Sequence, residues 1–164
     1  MKRSRIFAML AALVSVLLFC LPGYGQLATK KVVTLELARR IAAAAEGEAR
    51  TNNLTVVVAV VDDGANLIYL ERMDNTQIGS VEVAIQKART AISFKRPTKV
   101  FEEMIAGGRT AALGLPGVVP IEGGLPLLVD GQVIGAIGVS GATSQQDGVV
   151  AKAGAAITER PEQK

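Results

Sequence analysis

The chain has 164 residues, 49% of them apolar, with 18 basic against 15 acidic side chains, one cysteine and no histidine. That length suits one domain rather than two. The missing histidine excludes a Ser-His-Asp or Cys-His device, and the scarcity of cysteine removes the usual zinc ligand sets; ordinary histidine ligation of haem iron is excluded as well.

Met1-Lys-Arg-Ser-Arg5 is a basic start. Residues 6–21 form an apolar run of about 16 residues, short of the roughly 20 that a membrane span needs. Pro22-Gly-Tyr-Gly25 follows, with small residues at the spacing a signal peptidase reads. Residues 1–25 therefore read as a secretory signal peptide cut after Gly25. An uncleaved anchor and a lipoprotein acylated at Cys20 are the alternatives, and the bulk of Phe19 argues against the second. Lys2, Arg3 and Arg5 leave with the signal, so the mature chain, residues 26–164, carries 15 basic and 15 acidic groups. The basic excess belongs to export, and no nucleic-acid surface is expected. Cys20 leaves too, so an exported domain without disulfides must be held by its core. The expectation is a periplasmic or secreted protein with no stable membrane span after cleavage.

Thr34 is placed to cap a helix running to about Asn52, with Leu37, Ala38, Ile41, Ala45 and Ala49 on one thin face. Residues 55–62 are nearly unbroken Val and Ala, the mark of a central strand covered on both sides. Asp62-Asp-Gly-Ala65 turns the chain into a second strand, residues 66–72. Residues 80–94 form the next helix. Its core stripe is Val81, Ala84, Ile85, Ala88 and Ile92. A second stripe, Val83, Lys87, Thr90 and Phe94, reads either as a cavity wall or as a solvated lysine stem lying over apolar surface. Arg96-Pro-Thr98 breaks this helix and starts another to about Ala106. Gly107-Gly-Arg-Thr110 is a loop, and residues 113–119 are an irregular apolar connection. Residues 119–122 are a candidate short strand.

Leu125 to Val129 and Gln132 to Ser140 form a hairpin, because Asp130-Gly131 supplies the two positive-φ positions of a type I′ turn. Gly135, Gly138 and Gly141 fall every third residue, so they cannot share one face of a strand. They mark places where another backbone or a ligand comes close. Thr143 or Ser144 caps a last helix through Val150 and Ile157, and residues 158–164 read as a frayed polar tail. Helix, two strands, two helices, two or three strands and helix give an α+β domain with helices on the faces of an antiparallel sheet.

Few residues carry obvious chemistry. Asp62, Asp63 and Asp74 suit turn formation better than a hard-cation site. The glycine triplet has the wrong spacing for a dinucleotide fingerprint. Ser140-Gly141 before the last helix, and Gly107-Gly-Arg-Thr110, can each offer N–H groups to a carboxylate. Iron would have to use Met73, Met104, Tyr69, a hydroxyl, a lysine or a carboxylate.

Asp62-Asp-Gly-Ala-Asn-Leu with Arg72-Met-Asp74, Lys87-Ala-Arg-Thr-Ala91, Arg96-Pro-Thr98, Pro116-Gly-Val-Val-Pro-Ile-Glu-Gly-Gly124, and Ile137-Gly-Val-Ser-Gly141 with Gln146-Asp147 together resemble the GlcG/HbpS family. That family takes in HbpS-type haem-binding extracellular proteins, GlcG-type proteins of glycolate operons and the C-terminal domain of PduO-type cobalamin adenosyltransferases. The resemblance runs from about Thr34 to Ile157. It implies a profilin-like α-β-α layered domain with a five-stranded antiparallel sheet, homo-oligomers, and haem or corrinoid binding in some members. Some relatives place histidine at the iron, and this chain has none. The motif positions implied to surround a ligand pocket are Arg72, Lys87, Thr90, Gly123, Gly124 and Ser140, with Phe94 lining the same helix face. Lys87 and Arg72 would meet an anionic group such as a propionate. The expected function is an exported oligomeric binding protein for haem or a similar anionic, partly apolar ligand, in scavenging, buffering or sensing. The alternatives are an enzyme acting on a small 2-hydroxy or 2-keto acid and a non-catalytic interaction module; binding is favoured over catalysis.

Overall fold

The computed structural model describes residues 28–159. The chain divides into two units, Met1–Lys30 and Lys31–Lys164, and the architecture is that of the second. The signal peptide, Cys20 and the end of the polar tail lie outside the described residues.

Helix α1 spans Leu35–Thr51, and the Thr34 hydroxyl accepts its Leu37 N–H at 3.2 Å. Strands β1, Val57–Asp62, and β2, Leu67–Arg72, form the first hairpin. The turn between them is built by Asp62, whose Oδ1 accepts the N–H groups of Gly64 at 2.9 Å and Asn66 at 2.8 Å. That is turn chemistry, as expected of the aspartates, and no metal-binding acidic cluster occurs among the described residues. Helix α2 spans Gly79–Phe94 and α3 Lys99–Ala106; a short 3-10 helix covers Thr110–Gly114. Strands β3, Gly124–Val129, and β4, Gln132–Ser140, make the second hairpin, and α4 runs over Ser144–Glu159. Asp130 and Gly131 take φ values of 49° and 75°, as a type I′ turn demands.

The sheet order is β2-β1-β4-β3, antiparallel throughout. It has four strands, not five. Residues 119–122 form no strand: Val119 gives its N–H to the Thr90 hydroxyl and Glu122 gives its own to Glu102, so side chains rather than a neighbouring strand hold this stretch. The tail also differs from expectation. Helix α4 continues to Glu159 because Thr158 is buried and its hydroxyl donates to the Ala155 carbonyl at 2.9 Å.

Strand β1 is central and buried on both faces. Val56, Val58 and Val60 join Ile137 and Val139 in the core beneath α1 and α4. Val57, Ala59 and Val61 face α2, where they meet Ala84, Ala88 and Ala91. Gly138 shows why that side is so thin. A Cβ there would strike the Ala84 carbonyl and come within 2.6 Å of the Ala88 nitrogen, so glycine lets the helix backbone rest on the strand. No helix among the described residues is long and apolar enough to cross a membrane.

Candidate functional site

Lys87 projects from the middle of α2 toward the end of β4. Its side chain is 1% exposed. Nζ donates to the Val139 carbonyl at 2.9 Å and to Asp147 Oδ2 at 2.8 Å. The lysine is therefore neither a solvated stem nor an open cavity wall, because α4 brings a carboxylate to it. Asp147 sits in the first turn of α4, and its Oδ1 accepts the Ala142 N–H at 3.0 Å. Burial pushes the Asp147 carboxyl above its ordinary range; the Lys87 ammonium and the Ala142 N–H pull in the opposite direction without cancelling it.

In the loop between Ser140-Gly141 and α4, the Ala142 N–H does bind a carboxylate, and that carboxylate is the chain's own Asp147. Two further N–H groups here are also used. Thr143 and Gln146 form a reciprocal capping box, with Gln146 N–H to Thr143 Oγ1 at 3.3 Å and Thr143 N–H to Gln146 Oε1 at 3.2 Å.

Gly123 completes this buried knot. Its φ is +127°, and a Cβ would lie 2.8 Å from Lys87 Nζ and 2.6 Å from the Val139 carbonyl. Gly124 lies against the Lys87 carbonyl and is held by Thr98, whose Oγ1 accepts the Gly124 N–H at 2.9 Å and whose N–H reaches the Gly124 carbonyl at 3.0 Å. One turn along α2, the buried Thr90 hydroxyl donates to the Gly117 carbonyl at 3.1 Å and accepts the Val119 N–H at 3.0 Å. Lys87, Thr90, Gly123, Gly124 and Ser140 thus come together as one buried seam. Arg72 stands apart. It is exposed on the edge strand β2, across from Val57, whose other neighbour is Ser140.

Phe94, the last of the seven expected site residues, opens into a pocket of about 290 Å³, near the lower end of the roughly 300–1,000 Å³ common for ligand sites. Phe94, Phe101, Met104, Ala111, Ala112 and Leu115 give it apolar walls, and Arg96 and Arg109 bring two cations. Phe94 and Phe101 meet edge to face, with ring centroids 5.2 Å apart, which fixes α3 against the end of α2. The 3-10 helix forms the opposite wall, and the Thr90 bonds hold the connection that follows it. The seam positions the pocket without lining it. Arg96, Phe101 and Leu115 were not legible as site residues in the sequence, since each reads as an ordinary breaker, core or loop residue. Arg109 carried a signal through the Gly107-Gly-Arg-Thr loop.

A family model described as "Haem degrading protein HbpS-like" matches residues 33–156. The chain belongs to the HbpS-like family. The Escherichia coli (strain K12) protein GlcG is 47% identical over 112 residues, covering 68% of this chain and 84% of GlcG. Among solved structures, a double mutant of Streptomyces reticuli HbpS superposes with a TM-score of 0.73 at 33% identity, covering 84% of this chain and 97% of that one. A structure described as a PduOC:heme complex superposes with a TM-score of 0.70 at 27% identity, covering 77% of this chain and 95% of that one. The expected family is borne out, together with the α+β class and the antiparallel sheet.

Proposed function

We propose that this HbpS-like chain is an exported, self-associating protein that binds haem or a similar anionic, partly apolar ligand, for scavenging, buffering or as the accessory of a sensor. The pocket between α2, α3 and the 3-10 helix carries the reading, because it joins aromatic and aliphatic walls to the guanidinium groups of Arg96 and Arg109. Haem has the same two parts, an apolar macrocycle and two carboxylates, and guanidinium is the side chain best suited to hold carboxylates. The residues present match these two parts in kind, and the volume of about 290 Å³ takes a smaller anionic, partly apolar ligand or one edge of the macrocycle. The relative described as a haem complex supports the same ligand class. Export is supported by the basic, apolar and small-residue order of residues 1–25. Self-association is what the family resemblance implies, and Ile78, 76% exposed, and Leu113, 62% exposed, are apolar side chains available to it.

The test is a haem titration of residues 26–164 read by Soret absorbance, with the mass measured by light scattering. Saturation at one site per subunit is expected. The Arg96→Ala/Arg109→Ala double variant should bind at least tenfold more weakly, since a hydrogen bond to a charged group contributes about 1.5–3 kcal/mol. No saturable change in the parent chain would overturn the haem reading. Unchanged affinity in the double variant would remove the site from this pocket, and a monomeric mass would remove the self-association.

A further inference from the structure

We propose that the pocket between α2, α3 and the 3-10 helix takes a small monocarboxylate whose hydrocarbon body is about the size of one aromatic ring. The inference rests on the reading above of this pocket as the ligand site, and it narrows the ligand. Volume sets the first limit: about 290 Å³ accommodates a single ring with a short side chain and leaves most of a macrocycle outside. Burial sets the orientation. Phe101 and Ala112, 2% and 5% exposed, make the inner end. Phe94 and Met104 are half-buried, while Arg96, Arg109, Ala111 and Leu115 are exposed, which puts both cations at the mouth. The ligand therefore enters body first and keeps its carboxylate outermost. A hydroxyl or second carboxylate on the body would meet Phe101 and Ala112, whose side chains offer it no hydrogen bond.

Both guanidinium groups are available to such a ligand. No ion pair among the described residues includes Arg96 or Arg109. Arg96 Nε donates to the Phe94 carbonyl at 3.2 Å, which ties the base of that guanidinium to the end of α2. Glu102 on α3 is turned to other donors, the Glu122 N–H and the Ser144 hydroxyl, and Lys99 is taken by Glu122. Two like charges lining one pocket without an acid of their own favour an anion there. A planar carboxylate matches the planar guanidinium fork through two parallel N–H bonds. A phosphate group has three free oxygens to satisfy, and the lining holds no side-chain N–H or O–H donor besides the two arginines.

The experiment is calorimetric titration of residues 26–164 with phenylpropionate, and separately with phenylpropanol, acetate, phenyl phosphate and haem. Phenylpropionate should saturate at one site per subunit. Phenylpropanol lacks the charge and acetate lacks the body, so each should bind at least about tenfold more weakly. Arg96→Ala and Arg109→Ala alter exposed side chains and are expected to fold, which circular dichroism checks. Each should weaken phenylpropionate about tenfold and leave the weaker binding of phenylpropanol unchanged. Equal affinity for phenylpropionate and phenylpropanol overturns the role given to the carboxylate, and equal affinity for acetate overturns the role given to the body. Tighter binding of phenyl phosphate overturns the carboxylate class. Phenylpropionate binding that survives both arginine variants overturns the site. Saturable haem binding with no phenylpropionate binding overturns this inference alone and leaves the haem reading intact. Phenylpropionate binding without haem binding supports it and removes haem as the ligand. Failure of both titrations sinks this inference together with the reading of the pocket as a ligand site.

Discussion

Replacing Lys87 with Met tests the buried seam most directly. The exchange keeps much of the aliphatic stem and removes the ammonium. What stays behind is Asp147, 3% exposed, with Oδ2 unpaired, and a Val139 carbonyl that has lost the Lys87 donor. With both partners this deep, solvent gives little relief, and removing one member of a buried pair costs about 3–5 kcal/mol. For a domain whose urea m-value is about 2 kcal/mol/M, a loss of about 4 kcal/mol lowers the unfolding midpoint by about 2 M. The loss should depend on pH, with a definite sign. The Asp147 carboxyl is already raised by burial in the folded chain, so the folded state binds its proton more tightly than the unfolded state does. Such a group adds stability below its unfolded value, and that stability disappears as pH rises through the folded value. Without Lys87 the folded value climbs further, and the window extends upward. Lys87→Met should therefore be closest to the parent in acid and fall away toward neutral pH. Adding Asp147→Asn removes the buried charge, retains an oxygen for the Ala142 N–H, and should restore more than half of the loss near neutral pH. Urea melts at about pH 4 and about pH 8 decide the matter. A loss below about 1 kcal/mol, or one that is equal at both pH values, refutes the reasoning.

Gly123→Ala should lower the urea midpoint even though it adds only a methyl group. The φ of +127° and the contacts at 2.6 and 2.8 Å leave no room for Cβ, and overpacking of this kind costs about 1–3 kcal/mol; a midpoint equal to the parent's would show that the seam can relax. Thr90→Val keeps the side-chain shape and removes both hydroxyl bonds to the connection at residues 117–119. It should cost about 1–3 kcal/mol, with faster amide exchange at Val119 and weaker haem binding through a loosened pocket wall. Unchanged exchange at Val119 would argue that packing alone holds that connection.

How far the sequence carried the fold and the site depends on the range of the forces involved. The elements were legible because each is specified locally. Thr34 caps α1, unbroken valine marks β1 as central, and Asp130-Gly131 demands a tight turn. The glycine spacing in β4 forecast close approach, and Gly138 meets α2 there. The extra strand was misread because residues 119–122 are apolar and short, yet their backbone partners are side chains from α2 and α3, which no periodicity reports. Lys87 was misread for a similar reason. Its position on a second helical stripe suggested either solvent or a ligand, whereas its partner lies 60 residues away in α4. Asp147 is the residue whose role was hidden most completely, since an acidic residue in a first turn already has an ordinary account in the helix dipole. The pocket drew on residues scattered over three short elements, and only Phe94 belonged to a stripe with a visible period. The seam and the pocket are nevertheless parts of one device. Thr90 stands between Lys87 and Phe94 on the same face of α2, so the buried bonds that close the sheet's end also hold the wall against which a ligand would rest. A change in the seam should therefore alter ligand affinity as well as stability, whereas the pocket arginines, being exposed, should alter affinity alone.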